Sequence, residues 1–169
     1  MFTYQPGQVI LKRGNGILSW AISKTTDSPY THTVYPINEE EAMEAQALGV
    51  CITKIADLDY SYDVYQYEQG FTKQEKIQYE KIGRFMKGMP YDYFQLPYYL
   101  IMAVFGGENK FNRVGYVICS EVGIRMFDFI GHDPIPGTRD IDATPASWNN
   151  EYFNLVYEHR VSKRFRIFK

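Results

Sequence analysis

At 169 residues, 45% of them hydrophobic and 22% charged, the chain is sized for one compact domain over residues 1–169 with a substantial buried core. A net charge of -2 and a pI near 5.9 exclude the basic footprint of a nucleic-acid binder, and two cysteines in a chain this long exclude a disulfide scaffold. The longest apolar stretch, residues 96–105, is too short to cross a bilayer and contains Pro97, so no stable membrane insertion is expected.

The segment Gly7-Gln8-Val9-Ile10-Leu11-Lys12 leaves a Pro-Gly turn and reads as a first strand. Asn15 is placed to cap a helix carrying Ile17, Leu18, Ala21 and Ile22, which should stop near Ser23 or Lys24. After a loop at Thr26-Asp27-Ser28-Pro29, residues 30–35 alternate as a half-buried strand with His32 on the face of Tyr30 and Val34. Further strands are expected over residues 42–47, 49–55 and 62–67, making an antiparallel meander, although residues 39–48 would pass as a helix on propensity alone. Thr72-Lys73-Gln74-Glu75 is a capping box opening a helix through Ile77, Ile82, Phe85 and Met86 that ends at Gly88, before Pro90. Tyrosines crowd the middle of the chain, as half-wet packing or as the wall of a groove, and residues 96–105 suit a buried helix or such a wall. A last helical pattern runs from Cys119 to Ile130 and stops at Gly131; the basic residues Arg160, Lys163, Arg164, Arg166 and Lys169 read as a solvated strand end.

Cys119 follows the apolar run Val114-Gly115-Tyr116-Val117-Ile118 and lies in the first turn of that last helix. Unpaired amides and the positive end of the helix dipole stabilise an anion there, so the thiol pKa should fall. A cysteine nucleophile also needs a base and a group that orients the base, usually on strands facing the helix. His32 and Glu44 suit these roles better than His132, in a loop after Gly131, or His159, in the charged C-terminal strand. Each residue alone also has a plain structural explanation: a small buried hydrophobe for Cys119, a satisfied strand histidine for His32, a surface charge for Glu44. Cys51, on a strand with no helix start or base nearby, reads as an inert packing residue. No pair among His32, Cys51, Cys119 and His132 has the close spacing of zinc ligands, so neither a metal nor a cofactor is expected.

Taken in order, several segments resemble a known family: Pro6-Gly7-Gln8-Val9-Ile10-Leu11, Ser19-Trp20-Ala21-Ile22, Thr25 to His32, Glu44-Ala45 with Gly49-Val50, Tyr91-Asp92-Tyr93, Ile118-Cys119-Ser120-Glu121, and Thr144-Pro145-Ala146-Ser147-Trp148. They are similar to the circularly permuted papain-like amidases, the YaeF/YiiX branch of the NlpC-type cysteine peptidase superfamily, over almost the whole chain. The chain departs from the family at Gly7-Gln8, where Gly-Asp is usual, and at Thr31-His32-Thr33, where Ser-His-Val is usual. The resemblance implies an α+β, permuted papain-like fold, an antiparallel sheet or barrel packed against helices with the nucleophile at a helix N-terminus. It implies Cys119 as nucleophile, His32 as base and Glu44, rather than Glu41, as third member, because Glu44 precedes Ala45. An oxyanion would meet the Cys119 amide and a phenol from Tyr91 or Tyr93.

The activity so implied is that of a thiol amidase or peptidase cleaving a peptide, isopeptide or N-acyl bond through an acyl-enzyme. A lipid acyl hydrolase or acyltransferase, and a non-catalytic lipid- or peptide-binding module, are the alternatives on the same fold. The expected partner is a small amide, peptide or acyl substrate. The first residues lack the basic and apolar regions of a signal peptide, so the expected compartment is a cytoplasm, the chain's own or that of a host cell.

Overall fold

The computed structural model describes residues 2–14, 17–92 and 116–161. Its strands are β1 (Gln8–Arg13), β2 (Tyr30–Pro36), β3 (Glu41–Gln46), β4 (Gly49–Lys54), β5 (Tyr62–Tyr67) and β6 (Phe153–His159), and its helices are α1 (Ile17–Thr26), α2 (Lys73–Met86) and α3 (Cys119–Phe129). Short 3-10 turns occupy Ile55–Asp57, Asp140–Asp142 and Pro145–Trp148. The strands form one open antiparallel sheet in the order β4-β3-β2-β1-β5-β6, an α+β arrangement. No helix among the described residues is long and apolar enough to cross a membrane.

Both faces of this sheet are covered, which explains why Val9, Ile10 and Leu11 are apolar without alternation and all fully buried. Val9, Leu11, Tyr35, Met43, Ala45, Tyr65 and Tyr67 join α2, α3 and Trp148 in the larger core. On the other face, Ile10, Val34, Ala42, Tyr62 and Val64 pack beneath Phe2, Tyr4, Tyr60 and Tyr157. The same two-sided demand makes Glu41–Gln46 a strand: Met43 and Ala45 fill one core while Ala42 fills the other, and this period of two overrides helix propensity.

The expected four-strand meander is corrected at its last strand. β5 does not follow β4 but crosses the sheet to pair with β1, Ile10 opposite Val64, and β6 then pairs with β5. A second correction concerns His32. The β1–β2 register slips between Lys12 and Arg13, with Lys12 opposite His32 and Arg13 opposite Tyr30, so β2 carries a bulge. Tyr30 therefore joins the helix-side core, whereas His32 stays with Val34 on the opposite face.

α2 begins as expected: Thr72 Oγ1 accepts the Glu75 amide at 3.3 Å and Glu75 Oε2 accepts the Thr72 amide at 2.7 Å. Its buried face is Tyr79, Gly83 and Met86, while Ile77 and Phe85 are exposed. α3 ends before Gly131, whose φ of +84° supplies the left-handed turn. The run before α3 contributes only an isolated bridge between Val117 and Tyr91 among the described residues. Arg160 is exposed at the strand end, as expected, while its guanidinium reaches buried Asp63 at 2.5 Å. The readings made for Asn15, Tyr93, residues 96–105 and Lys163 onward lie outside the described residues.

Candidate active site

β2 extends beyond its partner. Its pairing with β3 runs from Pro36 opposite Ala42 to Val34 opposite Glu44 and stops, so Thr33 and His32 lie past the last pair. The first turn of α3 lies against this stretch of β2, where the Tyr35 hydroxyl donates toward the Cys119 and Ser120 carbonyls at 3.1 and 3.2 Å. Cys119 thus approaches from the helix side, while His32 and Glu44 lie on the face turned away from α3. His32 and Cys119 come together where β2 runs past its pairing with β3.

His32 links the other two. Its Nε2 donates to Glu44 Oε2 at 2.8 Å, a bond from neighbouring strands that requires the proton on Nε2 and leaves Nδ1 available to the thiol. Burial alone would depress the His32 pKa, but hydrogen bonds with Cys119 and Glu44 and their charges outweigh it and raise it to about 9. Burial opposes ionisation of the Cys119 thiol, yet His32, and then the Thr33 hydroxyl and backbone amide, bring its pKa below the ordinary value. The pair is therefore biased toward thiolate and imidazolium. The first amides of α3, that of Cys119 among them, have no intrahelical acceptor and add to this bias.

Glu44 is almost wholly buried and each of its oxygens is occupied. Oε2 serves His32, while Oε1 accepts from Gln46 Nε2 at 2.7 Å and from the Thr53 hydroxyl. Burial would raise the Glu44 pKa; His32 and Thr53 reverse the shift, so the carboxylate is charged at neutral pH. Glu41, the alternative third member, instead binds Arg84 at 2.5 Å on the surface of α2.

Cys51 is closer to this chemistry than expected. It sits opposite Glu44 across the β3–β4 pair, 3.8 Å from Thr53 Oγ1. Burial and the Glu44 charge push its thiol pKa up, which fits an inert role. His132 lies elsewhere, 3.2 Å from Glu75 and against Tyr67 and Phe71, and His159 stacks on Tyr62. The bridge to Val117 brings Tyr91 beside the segment two residues before Cys119, with its ring against the helix-side core.

Thr33, Tyr35, Gln46 and Thr53 are the site residues missed from sequence. The signal was spacing: one and three residues after His32, two after Glu44, and two after the residue opposite Glu44.

No family model and no curated protein matches the chain. Among solved structures it is similar to the crystal structure of metalloprotein yiiX from Escherichia coli O157:H7, DUF1105, with a TM-score of 0.72 and 16% sequence identity over 95% of this chain and 100% of that chain. That neighbour belongs to the YaeF/YiiX group whose motifs the sequence resembles. The chain shares the yiiX fold.

Proposed function

We propose that this protein is a cysteine hydrolase of the permuted papain-like, NlpC type, cleaving an amide bond through Cys119, His32 and Glu44. The observation that carries the reading is the His32 ring hydrogen-bonded to the buried Glu44 carboxylate, with the Cys119 thiol at a helix N-terminus and His32 each favouring the other's charged form. The thiolate attacks the substrate carbonyl carbon, and the carbonyl electrons move to oxygen. The Cys119 amide, free of an intrahelical acceptor, meets this oxyanion, with Tyr91 as the second donor. The imidazolium Nδ1–H protonates the leaving nitrogen, the C–N bond breaks, and a thioester remains. His32 then takes a proton from water, hydroxide displaces the thiolate, and the acid departs. Glu44 holds the Nε2 proton throughout and balances the imidazolium charge.

The yiiX protein is described as a metalloprotein. The described residues of this chain hold no group of three or more His, Cys, Asp or Glu placed to bind a metal ion. The three side chains that converge are already bound to one another, with Glu44 Oε1 taken by Gln46 and Thr53. This donor set does not fit a metal, and no step is routed through one.

Trapping the acyl-enzyme tests the reading. With a panel of acyl p-nitrophenyl esters and anilides, intact-mass and peptide mass spectrometry should find the acyl group on Cys119, absent from Cys51, and lost in His32→Ala. Wild-type Cys119 that takes up no acyl group from any donor would overturn it.

A further inference from the structure

The geometry points to Tyr35 and Thr33 as positioning residues that fix where the Cys119 sulfur sits against His32. This rests on the reading of Cys119 as the nucleophile. Both side chains follow His32 on β2 and both are fully buried.

The Tyr35 hydroxyl lies 3.0 Å from Thr33 Oγ1, 3.1 Å from the Cys119 carbonyl and 3.2 Å from the Ser120 carbonyl. Those two carbonyls belong to the first turn of α3, where they also accept amides one turn further on. Tyr35 is thus not filling an empty acceptor. It ties the start of the helix to the strand that bears the base.

The tie needs glycine at position 123. A Cβ there would fall 2.1 Å from Tyr35 Cε1, 2.3 Å from Tyr35 Cζ and 2.7 Å from Trp148 Cζ2. Trp148 packs edge-on against the same tyrosine ring, with centroids 5.2 Å apart. A ring held between a helix backbone and an indole has one place to put its hydroxyl. β2 therefore measures both distances at once: His32 fixes the imidazole, and Tyr35, three residues on, fixes the height of the helix that delivers the thiol.

Thr33 completes the arrangement at the stretch of β2 that β3 leaves unpaired. Its Oγ1 accepts from the Tyr35 hydroxyl at 3.0 Å, and its hydroxyl and backbone amide favour the Cys119 thiolate. An oxygen that accepts from Tyr35 keeps its own proton free to turn toward sulfur. The thiolate then has donors on the strand as well as on the imidazole, which holds it in line with His32.

The test is the rate of Cys119 alkylation by iodoacetamide against pH, read by mass spectrometry in wild type, His32→Ala, Tyr35→Phe, Thr33→Val and Thr33→Ser, with thermal melts alongside. Tyr35→Phe keeps the ring and Thr33→Val keeps the shape, so only the hydroxyls are lost. The expected result is a wild-type midpoint below the free-thiol value of about 8.5. Tyr35→Phe and Thr33→Val should each raise that midpoint and slow labelling at neutral pH about tenfold, a factor that corresponds to one pKa unit, and Thr33→Ser should restore both. If Tyr35→Phe does not fold, the contrast of Val with Ser at position 33 decides. Wild-type midpoints in both hydroxyl-deleted variants, whatever their melting temperatures, would leave the residues merely structural and overturn the proposal while the Cys119–His32 pair stands. Labelling of wild-type Cys119 no faster than Cys51 would overturn the pair itself.

Discussion

The histidine at the centre of the site carries a prediction about pH that separates turnover from simple thiol reactivity. Two protonation states must coexist: Cys119 as thiolate, which persists above its lowered pKa, and His32 as imidazolium, which persists below about 9. In the proposed mechanism acylation needs both, because the leaving nitrogen takes the imidazolium proton. Amide hydrolysis should rise through the acid limb and fall as pH passes about 9, whereas iodoacetamide labelling, which needs only the thiolate, should not fall there. Matching declines of the two rates above pH 9 would show that His32 is not the acid. Glu44→Gln sharpens the same argument. The amide keeps an acceptor for Nε2–H but removes the charge that favours the imidazolium, so the upper limb should move below 9 and the acid limb upward. The window narrows from both sides, with a loss in rate of about 10- to 100-fold at its centre, as for other outer partners of a working histidine. A pH–rate profile with unmoved limbs would reduce Glu44 to packing.

At the scale of elements, two glycines mark where helices come closest to their neighbours, and they should respond differently to a methyl group. A Cβ at Gly123 meets the rigid rings of Tyr35 and Trp148 at 2.1 to 2.7 Å, and neither ring can fold away. A Cβ at Gly83 of α2 meets Met126 Cε at 2.9 Å, the end of a flexible chain, with Ile37 and Met43 at 3.0 Å. Gly123→Ala should cost about 1–3 kcal/mol from overpacking and Gly83→Ala distinctly less, since alanine is also the better helix former. Thermal denaturation decides; a smaller loss at position 123 would mean that α3 does not rest on Tyr35 as described. The elements most legible in the sequence were those with a local cause: the capping box at Thr72, the stop at Gly131, the helix opened by Cys119. The bulge in β2 was not legible, because nothing in residues 30–35 themselves shows that Arg13 slips past a partner. β3 was legible only as a choice between strand and helix, decided by the two cores it fills. Thr33 and Thr53 escaped notice because a polar residue on a strand reads as solvated until the neighbouring strand and helix are in place.

Across the whole molecule, the sheet is tied by one carboxylate whose partners lie far apart in sequence. Asp63 on β5 is fully buried; its Oδ2 accepts from Arg13 Nε and Nη2 on β1 at 3.0 and 2.6 Å and from the Tyr30 hydroxyl on β2 at 2.7 Å. Its Oδ1 faces Arg160 Nη1 just past β6 at 2.5 Å. Four strands therefore converge on one charge, at the end of the sheet where β2 bulges and presents His32. Removing the charge leaves two half-exposed guanidinium groups repelling each other with a single neutral acceptor between them, so Asp63→Asn should destabilise the protein by about 1–3 kcal/mol. For a chain of this size each kcal/mol corresponds to roughly 2–4 °C in melting temperature. The pH dependence identifies the cause. Burial alone would raise the Asp63 pKa, but Tyr30, Arg13 and Arg160 bring it below the ordinary value, so its contribution is complete above an unfolded pKa of about 3.9 and is lost as pH falls through the lower folded value. Melting temperatures of wild type and Asp63→Asn should thus differ most near neutrality and draw together below pH 4. A gap that stayed constant into acid would assign the loss to shape rather than charge, and the four strands would have to be held by their cores alone.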